Sequence, residues 1–377
     1  MSVLLTSERH DAATYEDAIE LAYELGWSDG LPIVPPTERR VAEFLEVNGL
    51  EPDTIVADIT ERNKKITAEK AAINAVMAGC EPGYFPVLVA ALEAMADKRY
   101  KFNHLASLGS PWPLLVVNGP IARRIGMHNG IYTFGPGNRA NLTLARALSL
   151  VLRNCAGAKS EDVQRGQWGN SIRFSGCIAE IEDAGWEPLH VQRGFAPDQS
   201  AVTVASTYPG SPAHVTVNLN GEKPSRMLDA VCHAITGWGG AQWTRGTYAL
   251  LIGTHMVDMF VKEGWSKQDV RDYVVENTKA TVADLKYRGA WGKYRGDADE
   301  AMLRIDPGDD QRSLYLFKRN PEDEYLFLSS ATDERDLDVM VVVAGGDAGG
   351  RMQITIPYQV STNAVTKQIN ERSQSHE

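Results

Sequence analysis

Apolar residues along this chain alternate between two rhythms. Spacings of three and four mark helices over 14–25, 37–47, 67–79, 84–97 and 142–153, and again over 225–236, 256–263 and 266–277. Between them, alternating or wholly apolar runs mark strands at 54–60, 113–118, 172–182, 201–208, 214–219, 248–253 and 338–344. Local punctuation agrees with these bounds. Thr14 with Asp17 and Ser266 with Asp269 have capping-box spacing, and Thr37 can cap the helix that follows Pro35-Pro36. Gly79 suits the end of an alanine-rich helix. The segment 84–97 is apolar on most faces, which predicts a buried helix.

Helices alternating with apolar strands predict an α/β protein with a mixed sheet flanked by helices. One large domain is expected over 1–367, with two lobes (1–160 and 161–367) as the variant. Residues 286–312 are rich in glycine and charge and predict an irregular lobe. The polar residues 368–377 predict a mobile tail.

Composition narrows the classes of function. A hydrophobic fraction of 43% and a charged fraction of 23% are those of a globular chain. A net charge of −11 opposes nonspecific nucleic-acid binding, which needs a basic surface. No window approaches about 18 uncharged apolar residues, so no membrane span is expected. The apolar run at the N-terminus is too short for a signal peptide, so cytoplasmic residence is expected. The four cysteines lie far apart with no C-x-x-C pair, which argues against a zinc ribbon or a disulfide framework. The Walker A and G-x-G-x-x-G patterns are missing, so no cofactor is specified.

Gly135-Pro-Gly-Asn-Arg-Ala-Asn141 leads into the helix over 142–153 and follows the strand ending at Asn118. The free amides of a helix start suit an anion. Arg139 in the first turn opposes the macrodipole unless an anion meets it. Asn118, Gly137, Asn138, Arg139 and Asn141 are therefore candidates for binding a small anionic substrate. The competing reading is a loop and cap with Arg139 in a structural ion pair.

Further candidates carry chemistry rather than binding. Glu180 and His190 could form an acid–base pair, with Arg193 holding an anion. Cys80 near a helix start and Cys177 on a strand are candidate nucleophiles, with inert packing as the alternative for Cys80. His104, His190 and His255 would be the ligands of a metal-dependent hydrolase, although no pair of histidines has i, i+4 spacing and no metal is expected.

Several segments resemble a poorly characterised bacterial family of large proteins associated with, or fused to, small UGSC-type (seleno)protein domains, which are named for a Sec/Cys-Gly-Ser-Cys motif. They are Asp29-Gly-Leu-Pro-Ile-Val-Pro-Pro-Thr37, Ala72-Ile-Asn-Ala-Val-Met-Ala-Gly-Cys80, Leu115-Val-Val-Asn-Gly-Pro120 and Phe134-Gly-Pro-Gly-Asn-Arg-Ala-Asn141. Further along come Cys177-Ile-Ala-Glu180, Trp186-Glu-Pro-Leu-His190 and Gly264-Trp-Ser-Lys-Gln-Asp-Val270. This chain has no Sec/Cys-Gly-Ser-Cys segment, so the resemblance implies a separate thiol- or selenol-bearing partner.

Three functions follow as expectations. The first is an enzyme for a small anionic organic substrate, of lyase, hydratase or thiol-dependent cleavage type, expected to form a homo-oligomer. The second is a non-catalytic substrate-binding subunit for a thiol or selenol redox partner. The third is the metal-dependent hydrolase.

Overall fold

Apolar strands in this protein lie at the centres of two four-stranded sheets. The computed structural model describes residues 4–105, 109–159, 164–166, 168–208, 213–216, 223–237, 246–288, 308–318, 337–347, 349–357 and 363–371. In chain order the helices are α1 (Tyr15–Glu24), α2 (Glu38–Asn48), α3 (Ala68–Ala78), α4 (Phe85–Ala96), α5 (Pro120–Arg124) and α6 (Arg139–Asn154). Then come α7 (Leu189–Gln192), α8 (Pro224–Gly237), α9 (Thr254–Lys262), α10 (Lys267–Asn277) and α11 (Val282–Tyr287). The strands begin with β1 (Ile55–Ile59), β2 (Lys64–Thr67), β3 (Trp112–Asn118), β4 (Cys177–Ala179), β5 (Ala201–Thr207) and β6 (Ala213–Thr216). They continue with β7 (Gly246–Ile252), β8 (Lys279–Thr281), β9 (Ser313–Tyr315), β10 (Leu337–Val343), β11 (Arg351–Thr355) and β12 (Val365–Gln368).

The chain forms two compact units, and each is built from discontinuous segments. One comprises Met1–Glu180, His190–Val204 and Val365–Glu377, the other Ile181–Leu189 and Ala205–Ala364. A single cut after residue 160 does not describe this division. The chain passes out of the first unit at Glu180, returns at His190, and sends its last strand back.

In the first unit the sheet order is β12-β5-β3-β4, with β3 and β4 parallel and β12 antiparallel to β5. Every residue of β3 and β5 is buried, which explains the apolar run over Trp112–Val117 of β3. Helices α3, α4 and α6 pack with one another, α4 also against β12 and α6 against β4. Thr67 caps α3, and Gly79 at φ +89° ends it in the left-handed conformation that glycine adopts most readily. The tail expectation needs correction at its start. Gln368 is in β12, Ile369 is buried with its N–H on Ser200 O, and Glu371 pairs with Arg124. Residues 372–377 lie outside the described residues.

The second unit has the sheet β10-β7-β11-β6, in which β10 and β7 are parallel and β11 is antiparallel to both its neighbours. Its core joins Tyr248, Leu250 and Ile252 of β7 to Met227 and Val231 of α8, Phe260 of α9 and Val270 of α10. Trp186 packs against Phe260 and donates its indole N–H to Trp265 O at 2.7 Å. Strands β8 and β9 form a short antiparallel ribbon. Most of the expected irregular lobe, residues 289–307, lies outside the described residues. The protein is thus mixed α/β, with open mixed sheets flanked by helices. Among the described residues no helix is long and apolar enough to cross a membrane.

Candidate functional site

Strands β3 and β4 run parallel with Val117 opposite Ala179, so the next pair along is Asn118 and Glu180. Glu180 continues the ladder by donating its N–H to Val117 O at 3.1 Å. In-register neighbours on parallel strands project their side chains on the same side of the sheet. Asn118 Nδ2 accordingly donates to Glu180 Oε2 at 2.7 Å, with both residues buried. A buried carboxylate without such donors would lose several kcal/mol of solvation, so the amide is part of what allows it there.

The backbone beyond β3 is tightly specified. Gly119 has φ +88°, and a Cβ there would sit 2.3 Å from Gln199 O and 2.7 Å from Ser200 Cα. Only glycine fits this crossing. Ser200 Oγ accepts the Ile121 N–H at 3.1 Å, which fixes the start of α5.

The glycine-turn residues reach Glu180 through one loop. Asn138 is the N-cap of α6, accepting the Asn141 N–H at 3.0 Å and donating to Gly126 O at 2.8 Å. Gly137 at φ +116° makes the turn into that cap. Asn141 is buried and clamps His128 from both sides, accepting its N–H at 3.0 Å and donating to its C=O at 2.8 Å. The next residue, Asn129, donates Nδ2 to Glu180 O at 3.2 Å. Asn118, Glu180, Asn141 and Asn138 thus belong to one connected polar network. His128 and Asn129, which complete it, carried no sequence signal beyond their polarity.

Arg139 is placed differently from the substrate-binding expectation. Its Nε donates to Gly79 O at 3.0 Å and its Nη1 pairs with Glu81. Glu81 therefore supplies the negative charge that the start of α6 invites, and Arg139 ties α6 to the end of α3.

The cysteine expectation is corrected by burial. Burial pushes the Cys80 thiol up to about 12, even though Thr143 and the charges of Arg139 and Arg146 favour its thiolate. Cys177 is fully buried, and burial raises its thiol further, with Cys80 adding to the effect. Both are neutral thiols near pH 7, the inert form of this side chain.

His190 is completely buried in the short helix α7, and its C=O accepts the Arg193 N–H at 3.1 Å. Glu180 and His190 stand at the two points where the chain leaves and rejoins the first unit. Among the described residues no group of three or more His, Cys, Asp and Glu side chains could hold a metal ion. The His104 side chain lies outside the described residues.

A second polar anchor lies on the same helix as the loop clamp. Arg146 grips Asp29 in a two-pronged ion pair, Nε to Oδ2 at 2.9 Å and Nη2 to Oδ1 at 2.8 Å. Nη2 also donates to the carbonyls of Leu31 at 3.1 Å and Pro32 at 2.9 Å. The proline-rich segment after α1 is thereby fixed to α6.

No family model, no curated protein and no solved structure matches this chain.

Proposed function

We propose that this protein is an enzyme acting on a small anionic organic molecule by proton transfer at Glu180, with Asn118 as its positioning residue. The observation that carries this reading is a buried carboxyl group at the carboxyl ends of two parallel strands, bonded to the in-register amide of Asn118. Ligands of open α/β sheets bind at that end of the strands. A general base needs a carboxyl group whose orientation is set before substrate arrives, and the Asn118 amide supports that requirement. In a lyase or hydratase step, Glu180 takes a proton from the carbon beside the substrate's carboxylate. The electron pair left behind forms a double bond and expels the β-substituent. His190 is the second proton carrier in this reading, and Arg193 one turn later takes the substrate's charge. The buried thiols leave any thiol or selenol step to a separate partner protein.

Native mass spectrometry of protein isolated from its own cells tests the proposal. Glu180→Gln should retain a small organic acid that the wild type turns over and releases. A folded variant carrying nothing, beside a wild type that also carries nothing, would count against a substrate site here.

A further inference from the structure

The opposite end of β3 carries a different concentration of charge. Arg173 lays its guanidinium 3.9 Å over the Trp112 ring at the start of the strand, and Nη2 contacts Gln164 Oε1. Ser149 Oγ on α6 donates to Arg173 O at 2.8 Å. Arg153 lies one helical turn beyond Ser149, on the same face of α6, which brings a second guanidinium beside the first. The Nε of Arg153 is buried and has no hydrogen-bond partner among the described residues. Among those residues neither arginine has a carboxylate within ion-pair distance.

Two half-buried like charges close together repel, and the buried Nε of Arg153 adds an unmet donor. Burial, and then the charge of Arg153, bring Arg173 down to about 10. The last turn of α6 offers its carbonyl ends to Arg153, which offsets part of the cost. An oxyanion between the guanidiniums meets all these demands, since each planar fork can give paired N–H bonds to two oxygens.

The geometry points to an oxyanion-binding site formed by Arg153 and Arg173, suited to a phosphate or carboxylate group of a small molecule. It lies at the start of β3, whereas Asn118 and Glu180 lie at its end, roughly 20 Å away along a seven-residue strand. It is therefore separate from the proposed reaction centre and does not depend on it.

Titration calorimetry at fixed ionic strength, with sodium chloride as the balancing salt, tests this with inorganic phosphate and with malonate as probes. Wild type should bind at least one of the two saturably. Arg153→Met keeps the aliphatic stem over α6 and should weaken that binding at least tenfold, with an unchanged circular dichroism spectrum. Preference for phosphate assigns a phosphoryl ligand, and preference for malonate a carboxylate ligand. Absence of saturable binding of both probes to wild type would overturn the site, whatever the variant does. Equal affinities in wild type and folded Arg153→Met would overturn it as well.

Discussion

Asn118 and Glu180 are neighbours because Val117 and Ala179 are partners in a parallel ladder that Glu180 extends by one bond to Val117 O. Their side chains are 62 positions apart in sequence and 2.7 Å apart in space. Removing the amide leaves the carboxylate with one donor fewer in a dry setting. Asn118→Ala should lower stability by about 1.5–3 kcal/mol, the range for hydrogen bonds to charged groups. Urea unfolding measures it, and a loss below about 0.5 kcal/mol would mean that the bond contributes little.

Two arginines of α6 should behave unequally. Arg146 and Asp29 are mostly covered and form paired bonds, whereas Arg139 and Glu81 are both about half exposed. Breaking a buried pair strands a charge and costs roughly 3–5 kcal/mol, while exposed pairs contribute about 1 kcal/mol or less. Asp29→Ala should therefore destabilise far more than Glu81→Ala in thermal melts. Equal losses would contradict the burial argument.

Acid should release the N-terminal arm. Thr6 and Ser7 donate backbone N–H groups to the Glu69 carboxylate at 2.8–3.1 Å, and Thr6 Oγ1 adds a bond at 2.9 Å. Burial works against the charged form, but the donors from Ser7 and Thr6 outweigh it and hold the carboxyl below its usual range. A depressed folded value means that this contribution is present above the ordinary carboxylate range and fades as pH falls through the folded value. Hydrogen exchange at residues 4–10 should rise on acidification below about pH 4 and be nearly pH-independent, once intrinsic rates are corrected, in Glu69→Gln. The same acid response in both proteins would place the switch elsewhere.

The thiols should be slow. Cys80, Cys177 and Cys232 are buried, and burial raises all four cysteines above their ordinary value, Cys155 and Cys232 to about 11. A thiol disulfide reagent at pH 7.5 should label native Cys80 and Cys177 at least 100-fold more slowly than unfolded protein. Rapid labelling of native Cys80 would restore it as a nucleophile.

Much of the fold was legible because its signals are local. Thr14 and Ser266 form the expected capping boxes, Thr37 caps α2, and Gly79 ends α3. The long strand expected over 172–182 shortens to Cys177–Ala179, because Asn170 caps a tight turn over Ser171–Arg173 before the strand begins. Strands β2, β11 and β12 gave little pattern, being short and mixed in polarity, and the partners of β11 and β12 are distant in sequence. The site was legible as a set of residue types but not as a geometry. Asn118, Asn138, Asn141 and Glu180 stood out individually, whereas their connection through His128 and Asn129 depends on register and loop path. Arg139 drew attention for its position against the helix dipole, and only the fold reveals Glu81 as its counter-charge.

The measurement that bears most directly on Glu180 is proton exchange at carbon in heavy water. Wild type and Glu180→Gln would each be incubated with short-chain 2- and 3-substituted carboxylates, and loss of carbon-bound proton signals followed by NMR. Wild type should exchange protons of at least one acid, and the variant, with an unchanged melting temperature, should do so about 10²–10⁴-fold more slowly. Equal exchange rates in the two proteins would remove Glu180 from the chemistry.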